Sequence, residues 1–233
     1  MPTVSCGLRT QLSRGPQKLW PSSANWLPPL LCCFLLSQPA FTQGKRVFLV
    51  TNNSTKSRAA YVAKSARLGM PQFNQGNIVT TSAVAADYVA GLRLPARTYV
   101  IGHTGFFPAT HTFILKLTGY TQETSQVQLE EDVSAVLVGF DPFISYTKLM
   151  KAASYLARPG VQFIVTNTDS GMPAGDPRFV IPGTGCIVAM VREASGQSGT
   201  VLGKPSAPMW TYIQSLAGET AIEPQRSLMI GDR

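Results

Sequence analysis

Residues 46–58 read Arg46-Val-Phe-Leu-Val50-Thr51-Asn52-Asn53-Ser-Thr-Lys-Ser-Arg, and this stretch decides the fold class. The four apolar residues up to Val50 predict a buried strand, and the small polar residues after them predict a turn. A helix should follow and end near residue 69; its predicted buried stripe is Ala59, Val62, Ala63 and Ala66. A strand that turns directly into a helix indicates an α/β protein with a parallel sheet.

The same alternation continues along the chain. Further strands are predicted at 78–81, 97–101, 135–140, 161–166, 201–202 and 227–230. Helices are predicted to begin at Ser82 and Ser145 and to cover roughly 110–117, 183–194 and 206–217. The helix from Ser145 is expected to bury one face, made of Tyr146, Leu149, Met150, Ala153 and Leu156. This βαβα order predicts parallel sheets covered by helices.

Residues 1–43 differ in composition from the rest. They contain six of the 17 prolines and three of the four cysteines, and no helical or strand period runs through them. An unstructured leader is the favoured interpretation. The alternative is a secretory signal built on the apolar run 30–36, which follows three basic residues.

Charge and composition exclude several classes. The net charge is +8, and residues 1–86 hold nine Lys or Arg and no Asp or Glu. No basic cluster is interleaved with aromatic residues, so we expect no nucleic-acid partner. No apolar run reaches the roughly 18 to 20 residues of a membrane-spanning helix, so we expect no membrane partner. Four cysteines are too few for a disulfide scaffold, which favours free thiols in the cytoplasm over secretion.

Three polar groups follow predicted strands, where ligands of α/β sheets bind. The turn 51–55 suits either an ordinary helix cap or an anion bound at a helix start. Lys204, in Gly203-Lys204-Pro205-Ser206, is either a surface lysine or a charge that meets a phosphoryl group. Asp232, after the strand 227–230, is either a turn residue or a ligand of Mg²⁺.

The order of these groups resembles the haloacid dehalogenase superfamily. Within it, the chain is similar to the branch with a large inserted α/β cap, which includes phosphoglycolate, pyridoxal phosphate and 4-nitrophenyl phosphatases. Residues 47–58 resemble the second motif of that branch, 203–206 the third, and 229–233 the start of the fourth. Residues 165–169 and 182–185 resemble the substrate-facing loop of the cap.

The resemblance implies a Mg²⁺-dependent phosphatase of small phosphorylated metabolites, acting through an aspartyl-phosphate intermediate. Thr51, Asn52 and Asn53 would bind the phosphate, and Lys204 would neutralise its charge and orient the nucleophile. Asp232 would bind Mg²⁺. The cap loop that contacts the substrate would include Asp169, Gly183, Thr184 and Gly185. These roles require the Thr51 hydroxyl and the Lys204 ammonium to lie within about 10 Å of each other.

The implied architecture is an incomplete doubly wound parallel-sheet, Rossmann-like core, formed by residues 44–81 and 200–233, with an α/β cap over 82–199. A homodimer through the cap is implied as well. Arg178, in the cap loop, is either solvated or placed to meet an acidic substrate.

The first motif of the family, Asp-x-Asp-Gly, does not occur in the sequence. Its first Asp is the nucleophile, so we expect this chain to be inactive as written. Two hypotheses follow: a capped phosphatase present here as a fragment, or a non-catalytic product, secreted if the leader is a signal peptide, that binds or dimerises through its cap.

Overall fold

The computed structural model describes residues 40–103, 114–115, 127–174, 176–218 and 222–230. Nine strands lie within these ranges: β1 Leu49–Thr51, β2 Ile78–Thr80, β3 Arg97–Ile101, β4 Ile114–Leu115, β5 Val133–Val138, β6 Gln162–Val165, β7 Gly171–Met172, β8 Ile181–Pro182 and β9 Thr200–Val201. Five α-helices alternate with them: α1 Arg58–Arg67, α2 Thr81–Gly91, α3 Tyr146–Leu156, α4 Thr184–Ser195 and α5 Ala207–Leu216.

The strands form two parallel sheets and one short hairpin. β1 pairs with β2, and a five-stranded parallel sheet has the order β4-β3-β5-β6-β9. β7 and β8 form an antiparallel hairpin. The predicted α/β class with parallel sheets is therefore confirmed.

Helices cover both faces of the five-stranded sheet. Alternate strand residues point to opposite faces, so Val136 packs with Tyr155 of α3 while Leu137 packs with Val84 of α2 and Met209 of α5. Phe48 and Val50 also pack against the second of these clusters. The layer made by α2 and α5 is consequently shared by the two sheets, and it fixes β1 relative to the larger sheet.

Local capping explains where the helices begin and end. The Ser57 hydroxyl accepts a hydrogen bond from the Ala60 N–H at the start of α1, and Ser145 does the same for Lys148 at the start of α3. Beyond α1, Gly69 has a φ of 80°, which a glycine adopts without strain. The predicted Ser82 cap of α2 is wrong, because Thr80 accepts the hydrogen bond from the Ala83 N–H.

Two predicted buried faces are largely wrong, although Leu156 of α3 is buried as predicted. In α1 the buried residues are Tyr61 and Ser65, whereas Ala59, Ala63 and Ala66 are exposed. In α3 the buried residues are Lys151, Ala152, Tyr155 and Leu156, and Tyr146 is 75% exposed. In α1 the predicted face consisted mainly of alanines, which carry too little apolar surface to decide which face turns inward, whereas the ring of Tyr61 carries much more.

Three predicted strand or helix positions also differ. Thr200–Val201 joins β6 in the five-stranded sheet, rather than the sheet of β1 and β2. Residues 227–230 are not part of a strand, and Leu228 and Met229 are 70% and 63% exposed. Residues 114–115 form a strand within the predicted helix 110–117, whose other residues lie outside the described ranges. The predicted division at residues 81 and 199 into core and cap remains a prediction.

The predicted leader up to residue 39 lies outside the described ranges. Within those ranges, no helix is both long enough and apolar enough to cross a lipid bilayer.

Candidate functional site

Three turns meet at the carboxyl ends of their strands. They are residues 51–55 after β1, 166–169 after β6, and 202–206 after β9. Ligands of α/β sheets bind at this edge, because parallel strands end together there and helix N-termini begin there. Asn52 forms hydrogen bonds to both of the other turns.

Every polar atom of the Asn52 side chain has a partner. Its Oδ1 accepts a 2.7 Å hydrogen bond from the Lys204 N–H, and its Nδ2 donates to Asp169 Oδ2 at 3.2 Å and to the Lys204 carbonyl at 3.4 Å. Its own carbonyl accepts hydrogen bonds from Thr81 Oγ1 at 2.7 Å and Asn167 Nδ2 at 2.9 Å. Asn52 therefore joins the turn after β1 to those after β2, β6 and β9.

The neighbouring residues Thr51 and Asn53 hold the shape of the turn. The Asn53 N–H donates to Thr51 Oγ1 at 3.2 Å, and Asn53 Oδ1 accepts hydrogen bonds of 2.8 Å from both the N–H and the hydroxyl of Thr55. Burial raises the pKa of Tyr61, while the hydrogen bond of Tyr61 with Thr51 partly opposes that shift. The turn is thus ordered by its own polar groups before any ligand binds.

The Lys204 ammonium lies at the end of β1. Its Nζ donates to the Val50 carbonyl at 3.1 Å. Because Val50 precedes Thr51, ordinary bond lengths place the Thr51 hydroxyl within about 9 Å of this Nζ. The phosphate-binding roles predicted for the pair require such an arrangement.

Gly203 allows the turns to approach one another. A Cβ added to Gly203 would lie 2.5 Å from the Thr166 carbonyl oxygen and 2.9 Å from Asn52 Oδ1. No side chain fits at such distances, so a glycine is needed where the turn after β9 crosses the other two.

The predicted cap-loop residues also lie together. The Gly183 N–H donates to the Ser170 carbonyl at 2.8 Å, and the Gly185 N–H donates to the Asp169 carbonyl at 2.9 Å. A Cβ on Gly183 would lie 2.3 Å from that Asp169 carbonyl. Thr184 is buried at the first position of α4. These contacts bring the loop to the main chain of Asp169, whose carboxylate contacts Asn52.

Two further residues, one in the hairpin loop and one in α4, have partners other than Asn52. The Arg178 side chain is 82% exposed and pairs with Asp176 at 2.6 Å, as expected of a solvated loop residue. Cys186, whose place in the predicted helix 183–194 led us to expect a buried residue, is half-buried, and its thiol donates to the Ser170 carbonyl at 3.2 Å.

Two residues at the site had no predicted role of their own. Asn167 and Thr81 both donate to the Asn52 carbonyl, and both are almost fully buried. Asn167 follows the predicted strand 161–166, and Thr81 is the last residue of the predicted strand 78–81; these positions are the signal that would have found them. What the sequence could not indicate is that both side chains reach the same carbonyl.

A site for a metal ion such as Mg²⁺ would need carboxylate ligands. Among the described residues, no group of three His, Cys, Asp or Glu side chains is close enough to hold one. Asp232, the predicted Mg²⁺ ligand, lies outside those residues.

Comparisons with known proteins support the family resemblance. Residues 38–112 match the model of the haloacid dehalogenase-like hydrolases. The chain is 36% identical to human glycerol-3-phosphate phosphatase, over 82% of this chain and 63% of that protein. It is 33% identical to Arabidopsis thaliana phosphoglycolate phosphatase 2, over 82% of this chain and 66% of that protein.

The fold comparison agrees. A mutant of the thermostable p-nitrophenylphosphatase of Bacillus stearothermophilus superimposes with a TM-score of 0.67 at 25% identity, over 82% of this chain and 69% of that structure. The chain belongs to the haloacid dehalogenase-like hydrolase family. It spans about 63% of the length of human glycerol-3-phosphate phosphatase.

As a haloacid dehalogenase-like hydrolase, the chain contains two of the three motif segments within its described residues. The turn that resembles the second motif and the turn that resembles the third are joined by the hydrogen bond between Asn52 and Lys204. The segment that resembles the fourth motif is described only as far as residue 230.

Proposed function

We propose that this chain carries the phosphate-binding part of a phosphomonoester hydrolase that acts on small phosphorylated metabolites. The observation that carries the proposal is the position of the Lys204 ammonium, 3.1 Å from the carbonyl that precedes Thr51. A fixed cation beside hydroxyl, amide and main-chain N–H groups is suited to a phosphoryl group, because phosphoryl transfer depends on positioning and charge stabilisation.

The ligands of the phosphate would be the Thr51 hydroxyl, the Asn53 amide and the Lys204 ammonium. Asn52 was predicted to bind the phosphate too, but both hydrogens of its side-chain amide already have acceptors. We therefore assign the Asn52 side chain to holding the three turns together. The loop of Asp169, Gly183, Thr184 and Gly185 would face the part of the substrate beyond the phosphate.

The proposal includes Mg²⁺ bound through Asp232, which would offset the charge of the phosphate. It also includes an aspartyl-phosphate intermediate, for which an Asp-x-Asp-Gly strand must be supplied because the sequence has none. Hydrolysis by the chain as written is accordingly proposed to be negligible.

A homodimer through the cap and a cytoplasmic location belong to the same proposal. The feature that supports the dimer is the hairpin loop, where Phe179 and Val180 are 65% and 89% exposed. The free Cys186 thiol is compatible with a reducing compartment.

Phosphate binding by the full chain tests the proposed site. Isothermal titration with inorganic phosphate at fixed ionic strength should show binding, and Lys204→Met should weaken it about ten- to a hundredfold, as expected for a charge-assisted hydrogen bond. Lys45→Met removes the same charge from an exposed position before β1 and is the matched control. Absence of binding to the wild-type chain, or equal weakening by both substitutions, would contradict the proposal.

A further inference from the structure

The peptide that joins Asn52 to Asn53 is held at both ends. Its carbonyl accepts from Thr81 Oγ1 and Asn167 Nδ2, and its N–H donates to Thr51 Oγ1. Since a peptide group is planar, donors on the carbonyl also set the direction of the N–H. The orientation of the Thr51 hydroxyl and of the Asn53 side chain thus depends on this peptide.

The two donors come from different parts of the fold. Thr81 begins α2, directly after β2, which is the neighbour of β1. Asn167 follows β6 in the five-stranded sheet and lies 115 residues from Asn52 in sequence. Of these two donors, only Asn167 links the Asn52 carbonyl to the larger sheet.

Asn167 itself has little freedom to move. It is 4% exposed, and its Oδ1 accepts a 3.1 Å hydrogen bond from the Asp169 N–H. A Cβ on Gly203 would lie 2.9 Å from the Asn167 Cβ, so the turn after β9 packs tightly against it. A side chain held by a hydrogen bond on one side and by packing on the other can transmit its position to the group it binds.

We propose that Asn167 is a positioning residue of the phosphate site, acting through the main-chain carbonyl of Asn52. It does not contact the phosphate; it orients the peptide that presents Thr51 and Asn53. Because Asn167 also accepts from the Asp169 N–H, it couples the substrate-facing loop to the phosphate turn. The inference rests on the proposed function and extends it to a residue of the five-stranded sheet.

The decisive variant is Asn167→Asp. It keeps the oxygen that accepts from Asp169 and replaces the donating Nδ2 with a carboxylate oxygen that repels the Asn52 carbonyl. We expect the dissociation constant of inorganic phosphate to rise at least about tenfold, the size of effect of losing a buried hydrogen bond. Amide hydrogen exchange at Asn53, followed by NMR in the ligand-free chain, should become faster by a similar factor.

Two further variants separate positioning from stability. Asn74→Asp makes the same change in an exposed turn, where Asn74 Oδ1 accepts from the Gly76 N–H at 2.7 Å, and should leave phosphate binding and Asn53 exchange unchanged. Asn167→Ala removes the donor without burying a charge. It should also weaken phosphate binding, but less than Asn167→Asp does.

The outcomes are distinguishable. If the wild-type chain binds phosphate and both Asn167 variants bind it equally well, with only the melting temperature lowered, the residue is merely structural and the inference is overturned. Unchanged exchange at Asn53 in a folded variant overturns it as well. A wild-type chain that does not bind phosphate overturns the proposed function, and this inference with it.

Discussion

The main-chain N–H of Lys204 donates a 2.7 Å hydrogen bond to the side-chain Oδ1 of Asn52, across 152 residues of sequence. The same side chain returns a hydrogen bond to the Lys204 carbonyl at 3.4 Å. This pairing between a side-chain amide and a main-chain peptide fixes the lysine relative to the end of β1, whatever the ammonium itself contacts.

Asn52→Asp should destabilise the fold, because it replaces a donating group with an oxygen that faces Asp169 Oδ2 and the Lys204 carbonyl. Leaving two acceptors without a donor is expected to lower the free energy of unfolding by about 1 to 3 kcal/mol. Urea denaturation followed by circular dichroism measures it.

Asn53→Asp is the matched control for that substitution. Asn53 Oδ1 accepts both hydrogen bonds from Thr55, and an aspartate would keep them, so stability should change little. The added charge should nevertheless weaken phosphate binding. Equal loss of stability in the two variants would argue against a joining role for Asn52.

Gly203→Ala should disturb the site through packing alone. The added methyl group would collide with the Thr166 carbonyl and with Asn52 Oδ1, and relief of such overpacking is expected to cost about 1 to 3 kcal/mol of stability. Gly91→Ala, at the end of α2 with no atom within 4 Å of the added Cβ, should instead stabilise by about 0.5 to 1 kcal/mol. Thermal unfolding of both variants, compared with the wild type, decides whether the close contact is real.

Glu130→Gln should lower the free energy of unfolding at neutral pH. It should also make that free energy fall less steeply as the pH is lowered. The Glu130 carboxylate lies 2.8 Å from the ammonium of buried Lys151 and accepts a hydrogen bond from Tyr155. Burial raises the pKa of Glu130, but the hydrogen bonds from Lys151 and Tyr155 outweigh it and leave the pKa below its ordinary value. Burial and the Glu130 carboxylate in turn raise the pKa of Tyr155.

The sign of the pH dependence follows from that lowered pKa. Stability from Glu130 is present above its unfolded pKa of about 4.3 and is lost as pH falls through the lower folded value. Glu130→Gln should cost about 1 to 3 kcal/mol at pH 7, by leaving Lys151 without its counter-charge, and should remove part of the loss seen in acid. Glu223→Gln, which breaks an exposed pair with Arg226, should change stability by less than about 0.5 kcal/mol. If the stability of the Glu130→Gln variant depends on acidic pH in the same way as that of the wild type, Glu130 does not contribute to this pH dependence.

The chain as written should hydrolyse 4-nitrophenyl phosphate negligibly, with or without Mg²⁺. A form extended with an Asp-x-Asp-Gly strand before residue 44 and a continuation beyond residue 233 should be faster by a factor on the order of 10⁴ to 10⁶, the usual cost of losing a covalent nucleophile. Side-by-side assays with Mg²⁺ make the comparison. Substantial turnover by the 233-residue chain would mean that another group acts as the nucleophile.

Local patterns in the sequence were sufficient for the strands β1, β2, β3, β5, β6 and β9 and the turns after them, but not for the short strands β4, β7 and β8. Runs such as Val133–Val138 are apolar on both faces, as a sheet covered by helices on both sides requires, and the polar residues that follow mark the strand ends. The residues of the turn 51–55 and Lys204 could be chosen as a site because each follows a strand, and because their order resembles a known family. Helix faces rich in alanine were less predictable, as Ala59 and Tyr61 show, since a methyl group gains little free energy by burial.

The sequence by itself therefore determined the α/β class, the order of the motifs and the residue types at the strand ends, because these depend on interactions between near neighbours. The tertiary structure alone decided that β9 joins β6, that α2 and α5 serve both sheets, and that Asn167 and Lys204 both bind Asn52. The physical reason is that these contacts join residues far apart in sequence, by 36 positions between Ile164 and Thr200 and by more than 100 between Asn52 and either Asn167 or Lys204. The local sequence pattern of a turn does not specify which distant donor will reach it. The packing of the helix layers between and around the sheets brings that donor to the turn.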